Sequence, residues 1–189
     1  MRIAIACLLL LVAGCGRSPE TQFFTLRPVE TQHTAYFRKV SPPLQVGRVT
    51  LPSSLDRRSL VTGGEGVSVN VSDRERWIAP LPELVRRALT EDLRNRLGTA
   101  AVLTPGDPLP PKGARTLALN VQDFMVNADG EVVLTSDWTV ESRVAGEPAF
   151  TEHSTVTARA ASMAGGDVAE GMSRALALLA DRMAARLSS

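Results

Sequence analysis

Histidine, cysteine and aromatic residues are scarce in this sequence of 189 residues. It contains two His and two Cys, and aromatic residues make up 4% of it. Two histidines and two cysteines leave little from which to build a zinc site. So few aromatic side chains provide no platform on which nucleic-acid bases could stack. These absences argue against a metal-dependent protein and against a binder of single-stranded nucleic acid.

An excess of charge of one sign is also missing. Lysine and arginine together number 21, aspartate and glutamate number 20, and the net charge is +1. A nucleic-acid-binding domain would carry a basic excess or a basic stripe. At 44% hydrophobic and 22% charged residues, the chain can bury a core and does not resemble a disordered polyelectrolyte. Length and composition therefore predict one globular domain with no nucleic-acid partner.

Catalytic and cofactor-binding motifs are missing as well. His33 and His153 lie far apart in the sequence, and neither has the spacing of a metal ligand. The glycine-rich stretch at 63–66 lacks the Lys-Ser/Thr pair of a phosphate-binding loop and is typical of a tight hairpin. No carboxylate pair is indicated by spacing. We therefore expect no catalytic residue, no cofactor and no metal, and an enzyme is the weakest of the functional hypotheses.

The first residues have the pattern of a bacterial lipoprotein signal. Arg2 is followed by an apolar run from Ile3 to Val12 and then by small residues before Cys15. This run of ten residues is too short to cross about 30 Å of hydrocarbon as a helix. The pattern Val-Ala-Gly-Cys resembles a lipobox, in which the cysteine thiol accepts a diacylglycerol. The alternatives are an ordinary secretory signal that leaves a free Cys15 thiol, and a short buried helix.

The lipobox predicts how the chain is divided. Residues 1–14 are expected to form a cleaved signal peptide, 15–22 the acylated N-terminus and tether, and 23–189 a single domain. Acyl chains on Cys15 would attach the protein to a membrane, because two or more chains hold a protein stably in a bilayer. Gly16 follows in place of the Asp that retains many lipoproteins at the inner membrane. That class rule favours the outer membrane, with the body facing the periplasm.

The hydrophobic pattern of the remaining chain predicts mostly strands with two helices. A helix is expected from Leu81 to Leu97, with Pro82 in its first turn, Gly98 as the cap after its last turn and a wet face that includes Asp92 and Arg96. A second helix is expected from about Asp167 to Leu187, begun by a capping pair of Asp167 and Glu170. Alternating segments predict strands at 23–26, 44–51, 60–62, 66–71, 100–103, 116–125, 132–141 and 150–159. The expected fold is α+β: a mainly antiparallel sheet covered by two amphipathic helices in a two-layer sandwich, after the cleaved signal peptide.

Trp77 is the side chain in this region with two open interpretations. It shortly precedes the helix start at Pro80-Leu81 and lies among apolar residues, which favours a core position with a hydrogen-bonded indole N–H. The alternative is an anchor in a partner interface, where tryptophan is enriched. Phe23, Phe24 and Leu26 are likewise expected in the core.

Several stretches between residues 21 and 98 resemble one family. The segment LQVGRVTLPSSLDRRSLVT at 44–62 is similar to a motif of the ABC-type transport auxiliary lipoproteins of the PqiC type. The stretch RWIAPL at 76–81, the helix at 85–97 and FFTL at 23–26 resemble further segments of that family, in the same order. Arg48 and Ser54 depart from its pattern, and the C-terminal half agrees in pattern only.

The resemblance implies a function that the composition does not. Such lipoproteins face the periplasm from the outer membrane and work with an MCE-domain (mammalian-cell-entry) protein and inner-membrane transport components in moving lipid between the membranes. They are thought to stabilise the outer-membrane end of that complex, and the resemblance leaves assembly into homo-oligomers open. The alternative is an autonomous outer-membrane lipoprotein that binds lipid or assists outer-membrane assembly, for which we expect an apolar pocket between the sheet and the helices.

Overall fold

The computed structural model describes residues 20–30, 40–104, 107–108, 113–142 and 148–188. The predicted signal peptide and Cys15 lie outside these residues. The elements in chain order are β1 (Gln22–Phe24), β2 (Leu44–Thr50), β3 (Ser59–Gly63), β4 (Val69–Trp77), α1 (Leu81–Leu97), β5 (Val102–Leu103), β6 (Arg115–Val126), β7 (Glu131–Glu141), β8 (Phe150–Arg159) and α2 (Gly165–Leu187).

The larger sheet has five strands in the order β5-β2-β6-β7-β8. The pairs β6–β7 and β7–β8 are antiparallel, whereas β2 runs parallel to both β5 and β6. The α+β class with two helices is therefore confirmed; the longest strand pairs are antiparallel, but the sheets are mixed and not purely antiparallel. The reason is that α1 lies in the connection from β2 to its neighbours. Parallel neighbours need a long crossover, usually through a helix.

The smaller sheet joins the N-terminal strand to a hairpin. Its order is β1-β4-β3, in which β3 and β4 are antiparallel and β1 is parallel to β4. β1 pairs only with the last residues of β4, so that Phe23 lies opposite Arg76 and Phe24 opposite Trp77. The predicted hairpin around the glycine-rich stretch is confirmed, and its turn is closed by a hydrogen bond from the Gly64 N–H to the Ser68 oxygen (2.9 Å).

Helix α1 begins and ends where the sequence predicts. Pro82 occupies the first turn, and Gly98 follows the helix with φ of 94°, a backbone conformation that favours glycine. Its apolar residues face β2 and β5, and α2 packs against β6, β7, β8 and α1. Both helices thus cover one face of the five-stranded sheet. The opposite face carries polar cross-strand pairs such as Thr139–Thr151, whose hydroxyls are 2.8 Å apart.

The core lies between the sheet and the two helices. Strand β7 contributes alternate residues to it, so that Val132, Leu134, Trp138 and Val140 are buried. The Trp138 indole N–H donates to the Ser154 hydroxyl at 3.2 Å, which satisfies the one polar atom of this ring. The cavity beside Trp77 has a volume of about 10 Å³, about the minimum space for one water molecule.

Arginines of α2 cover the edge of the larger sheet at β8. The Arg174 guanidinium donates to the backbone oxygen of Arg159 at 2.6 Å, and Arg182 donates to that of Thr155 at 2.7 Å. Arg186 pairs with the Glu152 carboxylate and lies 4.7 Å from the centre of the Phe150 ring. Unpaired strand edges promote association with other chains, and charged cover is a common defence. Two backbone acceptors of this edge are therefore occupied, which hinders pairing with an added strand.

We predict that replacing Arg174 and Arg182 together by Ala increases self-association, because two backbone oxygens of β8 lose their donors. Size-exclusion chromatography with light scattering measures the effect. The control is Arg87→Ala, which removes the same type of charge from an exposed position on α1. Equal monomer content in the double variant and the control would mean that the guanidiniums do not protect the edge.

Candidate functional site

The N-terminal segment after β1 crosses both helices and is hydrogen-bonded to each. We call residues 25–30 the strap. The backbone N–H of Arg27 donates to the Ser173 hydroxyl of α2 at 3.1 Å, and that of Val29 donates to the Asp92 carboxylate of α1 at 2.9 Å. Leu26 between them is buried, at 6% exposed. The strap therefore ties the beginning of the described chain to its two helices.

Strand β4 supplies the cap for the first turn of α2. Helix α2 has no capping side chain of its own; the Glu75 carboxylate of β4 accepts a hydrogen bond from the Gly165 N–H at 3.1 Å. A negative charge at a helix N-terminus satisfies a free N–H and complements the helix dipole. The predicted capping pair of Asp167 and Glu170 is wrong, because the helix begins two residues earlier and takes its cap from another strand.

A buried ion cluster lies where the strap meets the two helices. Asp92 is 0% exposed and Arg96 is 2% exposed, although the sequence pattern places both on the wet face of α1. The Arg96 Nε donates to Asp181 of α2 at 2.6 Å, its Nη2 donates to the Ala177 oxygen at 3.0 Å, and its Nη1 lies 3.3 Å from the Asp92 Oδ1. The expectation of a wet face here is wrong because α2 and the strap cover it.

Burial raises the pKa of Asp92 to about 7, against the opposing effects of the Val29 N–H and the Arg96 charge. Asp181 nearby raises it further. Within the described part of the chain, the Asp92 Oδ2 has no hydrogen-bond partner. A buried carboxylate oxygen without a donor disfavours the ionised form, so this carboxyl group changes its charge near neutral pH.

An open groove runs between β1, the strap and the N-terminal half of α2. Its volume is about 560 Å³, within the usual range of small-molecule sites. Phe23, Phe24, Pro28, Val29 and Ala169 give it an apolar lining, and Arg27, Glu30, Glu170 and Arg174 bring both signs of charge to it. The groove is therefore separate from the core between the larger sheet and the two helices.

The residues singled out in the sequence lie in different surroundings. Cys15 lies outside the described residues, so its environment is not part of this structure. Trp77 is 1% exposed and packs inside the chain, next to the start of α1. Phe24 is partly buried and Leu26 is buried, but Phe23 is 56% exposed, so the expectation that it belongs to the core is wrong. The reason is that β1 is an edge strand, and the described residues leave more than half of this side chain exposed.

Other groupings of polar residues do not form a reactive centre in the part of the chain that the structure describes. No cluster of three or more His, Cys, Asp or Glu residues there could hold a metal ion. The His153 Nδ1 lies 2.8 Å from the Asp137 carboxylate, but these side chains are 58% and 36% exposed on the open face of the sheet. No described helix has the length and hydropathy needed to cross a membrane.

The glycine at the start of α2 allows a test of how β1 is held. A Cβ atom at Gly165 would lie 2.6 Å from both the Phe24 ring and the Glu75 Oε1, so Gly165→Ala must displace the Phe24 ring and the Glu75 carboxylate that caps the helix. We expect the free energy of unfolding to fall by roughly 1–3 kcal/mol, as for other overpacked positions. Urea unfolding measures this change.

The adjacent glycine is the matched control. A Cβ atom at Gly166 would lie 3.9 Å from Phe24 Cε1, an ordinary contact. Gly166→Ala should leave stability unchanged or raise it slightly, since alanine favours helix over glycine. If both variants unfold alike, the close contact between Phe24 and Gly165 does not constrain the N-terminal strand.

The buried carboxyl predicts a specific pH dependence. Because the pKa of Asp92 is raised in the folded state to about 7, the folded protein holds a proton that the unfolded chain releases above about pH 4. The stabilisation is therefore full below about pH 4 and is lost as the pH rises toward 7. Relative to Asp92→Asn, the wild type should lose roughly 1.4 kcal/mol of unfolding free energy per pH unit between about pH 5 and 7.

Urea unfolding of both proteins between pH 5 and 8 measures this difference. Glu91→Gln is the control, because Glu91 is exposed on the same helix. Its stability curve should run parallel to that of the wild type. A parallel curve for Asp92→Asn as well would contradict a raised pKa at this position.

Comparisons with known proteins identify the fold and the family. An uncharacterised protein of known crystal structure has 18% sequence identity, and the match covers 89% of this chain and 99% of that chain with a TM-score of 0.72. A crystal structure from Xanthomonas campestris has 15% identity over 86% of this chain and 92% of that one, with a TM-score of 0.68. At these identities the likeness shows the fold alone. No functionally curated protein matches the sequence significantly.

A family model identifies the family as well as the fold. The model of the ABC-type transport auxiliary lipoprotein component matches residues 24–184. This range runs from β1 through the strap, both sheets and α1 into the last turns of α2, so it includes the residues that tie the strap to both helices. The chain belongs to the family of ABC-type transport auxiliary lipoprotein components.

Proposed function

We propose that this chain is a lipid-anchored, periplasm-facing auxiliary subunit of an intermembrane lipid transport complex. Its partners in this proposal are an MCE-domain protein and inner-membrane components of the ABC type, and assembly of several copies is compatible with it. The subunit stabilises the outer-membrane end of the complex and carries out no catalysis. Membership of the auxiliary lipoprotein family supports a transport role at the envelope.

The observation that carries the proposal is the attachment of the N-terminal segment to the body. β1 pairs with β4, and the strap is hydrogen-bonded to both helices. A force on the N-terminus is therefore distributed over the sheet and the helix pair. Such an arrangement suits a protein held at one end by a membrane and at another surface by a partner.

The anchor in this proposal is Cys15, after removal of residues 1–14, with residues 15–22 as the tether. From Cys15 to Gln22 the chain reaches at most about 25 Å when fully extended. A short tether keeps the body near the leaflet and raises its effective concentration toward partners at the same membrane. Gly16 after the cysteine supports the outer membrane as the location.

The test replaces each cysteine in turn. Cys15→Ala should abolish incorporation of labelled palmitate and leave residues 1–14 attached, which intact-mass measurement detects. Co-purification with the MCE-domain protein should fall and envelope permeability should rise. Cys7→Ala is the control, because Cys7 lies within the proposed signal peptide, and it should keep the label.

Three results would overturn the proposal. Palmitate retained by Cys15→Ala would place the anchor elsewhere, and failure of the acylated wild type to capture any MCE-domain protein would reject the complex. Turnover of a substrate by the purified protein would reject an auxiliary role without catalysis.

A second candidate function is an autonomous outer-membrane lipoprotein that binds lipid or assists outer-membrane assembly. The groove of about 560 Å³ beside the strap is the observation that favours it. The pocket expected between the sheet and the helices does not carry it, since the cavity beside Trp77 measures about 10 Å³. Native mass spectrometry with and without lipid extract separates a bound lipid from the bare protein.

A further inference from the structure

Exposed apolar side chains gather on the smaller sheet. Seven large apolar residues are exposed in the described part of the chain, and five of them belong to β1, β4 or the residues beside β4. We call these five the apolar rim: Phe23 at 56% exposed, Val67 at 105%, Val69 at 55%, Val71 at 45% and Ile78 at 56%. Exposed apolar clusters on a protein surface mark sites that contact a membrane or another protein.

The chain length outside the structure limits what can cover the rim. This step rests on the proposed acylation of Cys15. β1 starts seven residues after that cysteine, so its first residue lies within about 25 Å of the attached acyl chains. The sheet that contains β1 is therefore held where the bilayer surface is within its reach.

The charges around the rim indicate the type of surface. Exposed arginines at 57, 58, 74 and 76 accompany the acidic residues Asp56, Glu65, Asp73 and Glu75. Equal numbers of both signs give no strong attraction to an anionic membrane. Contact with lipid here must come mainly from apolar side chains, with the arginine stems lying along the interface.

We propose that the apolar rim docks on the bilayer at the boundary between headgroups and acyl chains and so orients the anchored body. The immersion is shallow for a structural reason. In the described residues, β1 pairs only with Glu75–Trp77, and the β4 edge before Glu75 has no strand on the side away from β3. Unpaired backbone groups cannot enter hydrocarbon without a large penalty, so only side-chain ends pass the headgroups.

The experiment uses the full acylated lipoprotein in phosphatidylcholine vesicles. Val67→Cys provides one free thiol, because Cys7 is removed with the signal peptide and the Cys15 sulfur carries the lipid. An environment-sensitive dye on this thiol should shift its emission to shorter wavelength. The emission should also be lost when a nitroxide is placed on the lipid chain close to the headgroup.

Leu178→Cys is the matched control, because Leu178 is an exposed apolar residue on α2, at 42% exposed. A dye at position 178 should keep its emission in the same vesicles. Addition of phosphatidylglycerol or of salt should leave the signal at position 67 unchanged, since the contact is apolar. Equal quenching at both positions, or none at either, would overturn the proposal.

The remaining outcomes separate this proposal from the proposed function. A shift at position 67 that grows with the ratio of protein to lipid would show that a second copy covers the rim, which contradicts lipid docking. Failed palmitate labelling would defeat the proposed anchor itself. Normal labelling and normal capture of the MCE-domain protein, with no quenching at position 67, would defeat lipid docking alone.

Discussion

The arrangement of this protein depends on one buried guanidinium. Arg96 of α1 donates to the Asp181 carboxylate and to the Ala177 oxygen of α2, and it lies beside Asp92 on its own helix. Because hydrogen bonds to a planar guanidinium are directional, these contacts fix how the two helices lie against each other. The same Asp92 carboxylate then accepts the Val29 N–H, so the position of the strap follows from the position of the helices.

Such a cluster contributes more to geometry than to net stability. Removing two charges from water costs about as much as their mutual attraction returns, whereas loss of one partner leaves a costly buried charge. The cluster therefore acts as a constraint: α1, α2 and the strap must be in place together. For a protein proposed to work between an anchor and a partner, a fixed angle between the tether and the body is the useful property.

Much of the fold could be predicted from periodicity. Helix α1, the hairpins and strand β8 follow from apolar spacing and from turn residues such as Gly98 and Gly130, since these signals are local. The direction of β2 relative to β6 could not be predicted, because an alternating strand looks the same in a parallel and in an antiparallel sheet. The strand order depends on which segments meet after the crossover through α1.

The candidate site was less predictable for the same reason. Asp92 and Arg96 have the spacing of a solvated helix face, and only the packing of α2 and the strap against them turns that face inward. Glu75 caps α2 from a strand that is ninety residues away in sequence. The exposure of Phe23 depends on which edge β1 occupies. In each case the exposure or the cap is determined by a segment that is distant in the chain, and the local sequence pattern does not indicate it.

The link between Arg27 and Ser173 has a consequence for how the chain is completed. The two residues are separated by 146 positions, so the Arg27 end of the strap gains its partner only after nearly the whole polypeptide has been made and α2 has docked. Contacts that close such long loops form late in folding, because the entropy of loop closure must be overcome first. Until that helix docks, the N-terminal segment is held only by β4 and α1, and its attachment to the body is completed by the last element of the chain.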